Sequence, residues 1–380
     1  MDNGGNNTTV TITINPQGDA LIMAGNSISL TATVQGTTNT AVIWSIIPTS
    51  AENSLEKNGN QAVFTAPADA PAGRTYTIKA TADANQTKSG TARIIIYDTP
   101  EEPLDTYTGI NNNGDIVGTH IYSDGSARAF LDAGGSRTIL EHPQAAGYTR
   151  AIGINDSQHV LGSYENSSQE IRYFLKTGSD YADLADYPGA SSTDYTGINK
   201  SGQLRLVGYY KDASGVYARG FIKTGSASSS SFEPPIEHPD ADPAACVISS
   251  LCGTFLTGIN DLGHVVGYYR NSDGISHGFL RDDSGFTAIQ PTGAGVGIHV
   301  TGINNSSEAV GYFWGSGENA HGFAFAKAGN RFEPFDHPGA AVEGKGTYFT
   351  GINDSGRITG WYDDGDKTRG FTSDFSELIP

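Results

Sequence analysis

One triplet, Gly-Ile-Asn, occurs six times, beginning at Gly109, Gly153, Gly197, Gly258, Gly302 and Gly351, at intervals of 44, 44, 61, 44 and 49 residues. Self-similarity at such a period marks a chain built from copies of one supersecondary unit, each too small to bury its apolar face alone. Every copy continues through a polar turn (Asn260-Asp261-Leu262-Gly263), an apolar strand (His264 to Tyr269) and a second turn. A strand with a Gly278-Phe279-like pair follows, then a last strand of the type Arg331-Phe332-Glu333-Pro334-Phe335. Four short strands per copy make one propeller blade, and six copies fall within the roughly four to eight blades that close a ring. An open solenoid fits less well because its repeats are shorter. The sequence therefore predicts a six-bladed β-propeller of four-stranded blades over residues 100–380, with the segment ending Phe375 to Pro380 as the last strand of blade six.

These copies resemble the extracellular repeat family known by its His-Ala-Phe triplet, whose units likewise pair a Gly-Ile-Asn turn with a Val-Gly strand. The triplet reads His277-Gly278-Phe279 and His321-Gly322-Phe323 in two copies and begins with Arg in the other four. The resemblance implies secretion and a β-propeller, and it implies no reaction.

Upstream, residues 9–99 alternate apolar and polar positions in short runs, such as Val10 to Ile14, Ser29 to Val34 and Thr75 to Thr81. Period two with β-branched residues predicts about seven antiparallel strands in a sandwich. The segment resembles a bacterial immunoglobulin-like domain through the Gly25-Asn26-Ser27 turn, the Val42 to Ile46 strand, Phe64-Thr65-Ala66-Pro67 and the Thr91 to Ile96 strand. No cysteine pair crosses its sheets, so Trp44 and area burial must hold it. Such modules act as spacers or stalks. Residues 1–8 read as a polar linker behind an added initiator Met, with any export signal removed.

Composition narrows the partners. Glycine is 49 of 380 residues, and 41 acids against 23 bases give a net charge of −18, which argues against nucleic acid and anionic membrane surfaces as ligands. No apolar run approaches the roughly 18 residues of a membrane span. The two cysteines, Cys246 and Cys252, lie in the longest interval, where an oxidising compartment would let them form a disulfide that restrains the insertion between blades three and four. That loop is expected to form part of the binding-face wall near His277.

The asparagines Asn111, Asn155, Asn199, Asn260, Asn304 and Asn353 recur in every copy and read as scaffold, bonding their own turns. The strand glycines Gly118, Gly162, Gly208, Gly267, Gly311 and Gly360 are expected to let neighbouring blades approach. One position is basic in all six copies: Arg128, Arg172, Arg219, His277, His321 and Arg369. This ring either recognises carboxylate or sulfate groups or pairs with acids of the adjacent turns, such as Glu141, Asp186, Glu237 and Asp336. Aromatic residues crowd strand two of blades three to six, where Trp314 is the candidate stacking platform. Histidines at blade spacing and two cysteines make no metal site. The Asp363-Asp364-Gly365-Asp366 turn could take calcium, but the full loop pattern is missing, so no cofactor is expected.

The leading expectation is a secreted or surface-displayed binding protein whose propeller face takes an extracellular polymer, an acidic polysaccharide by the basic ring and Trp314. The alternative is a polysaccharide lyase or hydrolase on uronate-containing glycans, with His277 and His321 as bases and Arg219 neutralising the carboxylate. A structural surface protein without a ligand is the third reading.

Overall fold

The computed structural model describes residues 9–379 apart from 17–18, 24, 49–53, 68–74, 98–103, 123–125, 230, 242–251, 272–273, 291–295, 316–318, 341–345 and 366. The expected linker, Cys246, the centre of the insertion and Asp366 lie outside the described residues. The chain is nearly all strand and divides into two compact units, residues 1–103 with 135–140, and residues 104–134 with 141–380.

In the first unit, one sheet runs Thr11–Asn15, Ser27–Gln35, Gln61–Thr65, Leu55–Asn58. The second runs Val42–Ile47, Thr75–Ala82, Ser89–Tyr97, Asp19–Met23, Ser136–Leu140. Asp19–Met23 pairs parallel with Ser89–Tyr97, and Thr138 and Ile139 extend the sheet antiparallel on Ala20 and Asp19. Alternation in sequence becomes alternation in burial: Leu30, Ala32 and Val34 point inward from Ser27–Gln35 while their neighbours face outward. Both sheets share one core of Leu30, Trp44, Ile46, Phe64, Ile78 and Ile94 among others. Trp44, 3% exposed, still satisfies its indole by donating to the Gly59 carbonyl at 3.0 Å.

The second unit consists of six antiparallel meanders in chain order. The first contributes Leu104–Ile110, Ile116–Ile121 and Ala127–Ala133, and the second Thr149–Ile154, Val160–Glu165, Ile171–Thr177 and Asp180–Asp183. The third has Ser192–Ile198, Arg205–Lys211 and Tyr217–Thr224. The fourth has Cys252–Ile259, Val265–Arg270, Ser276–Asp282 and Gly285–Ile289, and the fifth Val296–Ile303, Glu308–Trp314, Ala320–Ala326 and Arg331–Phe335. The sixth has Thr347–Ile352, Arg357–Asp363 and Thr368–Asp374.

Three meanders show only three strands in this unit, the first because Ser136–Leu140 groups with the first unit. In the third, only the isolated bridges Gly220 to Ile236 and Lys223 to Phe232 stand where a fourth strand would be, because Pro234 and Pro235 supply no ladder donors. In the sixth, the expected last strand is absent: Phe375–Leu378 is a helical turn. Phe375 and Leu378 recur at a spacing of three rather than two, so the turn drops both onto the core around Phe349 and Ile358.

Successive meanders meet through the Gly-Ile-Asn segments. A Cβ on Gly109 would stand 2.9 Å from the Gly153 Cα, and one on Gly302 3.2 Å from the Gly351 Cα, so the close approach between units is made at these glycines. The strand-two glycines act differently from expectation. A Cβ at Gly208 would lie 1.9 Å from the Asp194 carbonyl oxygen and 2.9 Å from the Phe221 ring, both within its own meander. They make room for a bulged first strand and for the phenylalanine of strand three.

Candidate binding site

Two rings of side chains stitch the meanders round an axis. Each Gly-Ile-Asn asparagine accepts from its own turn through Oδ1, as Asn111 does from Asn113 and Asp115. In four of the six the Nδ2 reaches onward to the next asparagine's carbonyl, from Asn111 to Asn155, Asn260 to Asn304, Asn304 to Asn353 and Asn353 back to Asn111, at 3.0 to 3.2 Å, whereas Asn199 reaches the Asp261 carboxylate and Asn155 bonds His159 of its own turn. The scaffold reading of these asparagines holds, with a second partner that the sequence does not show. Just before each triplet, the hydroxyls of Thr108, Thr196, Thr301 and Thr350 donate to the carbonyls of Ala151, Leu256, Phe349 and Tyr107 of the following meander at 2.6 to 3.0 Å. Thr257 does the same to Val300. Ile152 stands where the others have threonine, so the second-to-third joint lacks this stitch. The bonds from Thr350 and Asn353 to Tyr107 and Asn111 close the circle between separate sheets.

Inside the ring, the Thr-Gly-Ile segments line a cavity of roughly 50 Å³. Lys200, which replaces the Asn or Asp of the other turns, crosses the axis, and its Nζ donates to the Ile110 carbonyl. Burial drives its pKa down to about 8 against the opposing pull of Asp156, Asp354 and Asp261. Around it, Asn112 bridges Asp156 and Asp354, and Asn305 bridges Asp261 and Asp354, all at 2.8 to 2.9 Å. This end of the axis is therefore occupied by the protein's own groups.

The six basic residues each sit opposite the second residue after the strand-two glycine, and each is held within its own meander. Arg128 pairs with Glu141 at 3.1 Å, Arg172 with Glu170 at 3.0 Å, and Arg219 with both Asp212 and Glu237. His321 meets Asp336 at 2.7 Å, and Arg369, for which the sequence offers no acid-His-Pro turn, meets Asp364 at 2.6 Å. His277 faces Gln290 at 3.3 Å and stacks on Tyr269. The contacts are those of the pairing alternative. His277, His321 and Arg219 are engaged in three different meanders and share no partner among the described residues.

The acid-His-Pro turns extend the same clasp to the next meander. His142 stacks on Tyr164 at 3.7 Å, Tyr187 on Tyr210 at 3.8 Å, His238 on Tyr269 at 3.9 Å and His337 on Tyr362 at 3.8 Å. In the three histidines Nδ1 accepts the backbone N–H two residues on, from Gln144, Asp240 and Gly339. Burial lowers each of their pKa values, so the neutral tautomer that this bond needs is the stable one.

The other face of strand two builds a second feature, one layer beyond the threonines at the opposite end from Lys200. Tyr209 meets Phe255 edge-on at 4.9 Å, Tyr268 stacks on His299 at 4.1 Å, Tyr312 meets Tyr348 at 4.9 Å, and Tyr348 stacks on Trp361 at 3.9 Å. Trp314 is half-buried and edge-on to His299 and Tyr312. The arc continues in polar residues: the Tyr173 hydroxyl donates to Asp194 at 2.7 Å, and Arg150 lies over Tyr148 at 4.4 Å. Arg270 lies over Tyr268 at 5.7 Å and donates to Ser276. Except for buried Phe255 and exposed Arg150, these side chains are half-buried. The first meander contributes only Thr106 and Thr119 at the matching positions.

Within the arc, burial first and Asp194 second push the Tyr173 and Tyr209 hydroxyls far above the usual phenol range, and burial lifts Tyr312 to about 12. Burial, helped by Arg270, lowers His299 to about 4, and its Nε2 has no partner. The phenols are thus donors and His299 is neutral throughout the physiological range. Strand two's aromatic crowding points to this arc in the sequence. Arg150, Asp194 and Arg270 carry no repeat signal and are found only in space.

Cys252, the first residue of its strand, is buried and disulfide-bonded. Cys246 and the loop expected near His277 lie outside the described residues. No group of three or more metal-ligating side chains occurs among the described residues, and no helix there is long and apolar enough to cross a membrane.

No known family profile matches the chain, and no curated protein does. Solved structures similar to it are β-propeller proteins. The propeller domain of the trilobed protease from Pyrococcus furiosus has an open velcro topology; it aligns with a TM-score of 0.43 and 8% identity over 98% of this chain and 99% of that one. The fucose-recognising six-bladed lectin of Aleuria aurantia aligns with a TM-score of 0.39 and 12% identity, over 72% of this chain and 96% of that one. AofleA of Arthrobotrys oligospora gives 0.42 and 13%, over 71% and 83%.

Proposed function

We propose that the second unit is a six-bladed β-propeller that binds carbohydrate at the aromatic arc around its axis, and that the first is an immunoglobulin-like spacer presenting it outside the cell. The observation that supports this reading is the run of rings in contact from Tyr209 to Trp361, half-buried except at Phe255. Half-open aromatic faces with hydroxyl tips suit the apolar faces and hydroxyls of sugars. Phenols held protonated and a histidine held neutral favour holding a ligand over transferring its protons. The ligand is an extracellular polymer, an acidic polysaccharide. The arginines that would recognise it are those of the arc, since the ring from Arg128 to Arg369 is already neutralised by its own carboxylates or, at His277, engaged by Gln290.

Calorimetric titration with neutral and uronate oligosaccharides tests the reading. Binding is expected to alter tryptophan fluorescence, because Trp314 and Trp361 border the site, and Trp361→Ala is expected to weaken it roughly tenfold. Absence of binding across the panel, or binding indifferent to Trp361→Ala, would overturn it.

A further inference from the structure

Resting on that reading, we infer that the polar end of the arc, Arg150, Asp194 and Arg270, is a subsite for a carboxylated sugar with free hydroxyls. Every arginine of the basic ring has a carboxylate within 3.1 Å. Among the described residues Arg150 and Arg270 have none, although the chain carries an excess of 18 negative charges. Their company is aromatic: Arg150 lies against Tyr148 and Arg270 against Tyr268. A guanidinium stacked on a ring keeps its in-plane donors free for a carboxylate.

Between them Asp194 takes the Tyr173 hydroxyl at 2.7 Å and stands across the strand from Tyr209. An ionised carboxylate has roughly four lone-pair sites, so acceptors remain for ligand hydroxyls. Tyr209, across from Asp194, meets Phe255, and Phe255 stacks at 4.8 Å on the Tyr268 ring that Arg270 lies over, which places these groups in one neighbourhood. A cation on the meander to either side of one hydroxyl acceptor, with Arg270 using only its Nε on Ser276, matches a hexuronate, which offers one planar carboxylate and several hydroxyl donors. A sulfated sugar fits less well: its sulfate replaces a hydroxyl donor, and Asp194 repels the added charge.

The test compares Arg150→Ala, Arg270→Ala and Asp194→Asn in the full chain, titrated with an oligogalacturonate, the corresponding neutral oligogalactose and a sulfated galactan oligosaccharide. Arg128→Ala serves as control, and thermal melts establish that each variant is folded. The expected result is preference for the galacturonate. Each arginine variant should lose roughly ten- to a hundredfold in affinity, Asp194→Asn should narrow the preference over the sulfated ligand, and Arg128→Ala should change nothing. Galacturonate binding that is untouched by both arginine variants, or equal affinity for the neutral or sulfated ligand, overturns the subsite while leaving carbohydrate binding standing. No binding of any of the three overturns both.

Discussion

Thr301 donates one hydroxyl proton within reach of two carbonyls, Val310 of its own meander at 3.2 Å and Phe349 of the next at 2.8 Å. Thr301→Val keeps the shape and removes the donor, so both carbonyls lose a partner in a closed setting. A loss of about 1 to 2 kcal/mol is expected in chemical denaturation, with an unchanged denaturant slope. The sequence displays threonine before five of the six triplets, but periodicity cannot name its acceptor, which lies 48 residues away for Thr301 and 60 for Thr196. The same limit hid the second partner of the asparagines other than Asn155. Arg150 and Arg270 were hidden for another reason: they occupy positions where other copies carry unrelated residues, so no repeat logic singles them out.

Among elements, strand two decides most of the architecture. Its alternate residues face two different neighbours: Tyr210, Tyr269 and Tyr362 stack on the turn of the preceding meander, whereas Tyr209, Tyr268 and Tyr312 turn toward the axis. The period-two pattern made this division legible, but not which half would stay open. Its glycine is fixed by the bulged first strand beside it. Gly208→Ala would drive a Cβ against the Asp194 carbonyl and the Phe221 ring, where neither backbone nor a packed ring can withdraw cheaply. Destabilisation by more than about 3 kcal/mol is expected in thermal or urea melts, together with loss of galacturonate binding because Asp194 is displaced. The fourth strands were less legible. They are outermost and depend on local sequence, so Pro234 and Pro235 thin one to bridges, and the three-residue spacing of Phe375 and Leu378 turns another into a helical turn.

For the molecule as a whole, four histidines have pKa values lowered by burial, His142, His238, His299 and His337. The unfolded chain then binds more protons than the native one below the ordinary histidine pKa of about 6.5. Stability is complete above that pH and falls as acid is added, with His299 titrating down to about 4. His299 alone accounts for on the order of 3 kcal/mol of that loss. Melting temperatures measured between pH 7 and pH 4 should decline, and His299→Phe should flatten the decline. An equal decline in the variant would assign the acid sensitivity elsewhere. A further consequence follows from the bonds joining Thr350 and Asn353 to Tyr107 and Asn111. An open array of repeats has two end units, each bonded on one side only, and frays from them. Here the sixth meander grips the first with the same threonine hydroxyl that joins every neighbouring pair along the chain except the second and third. No repeat is terminal, and a local opening must break two joints at once rather than one.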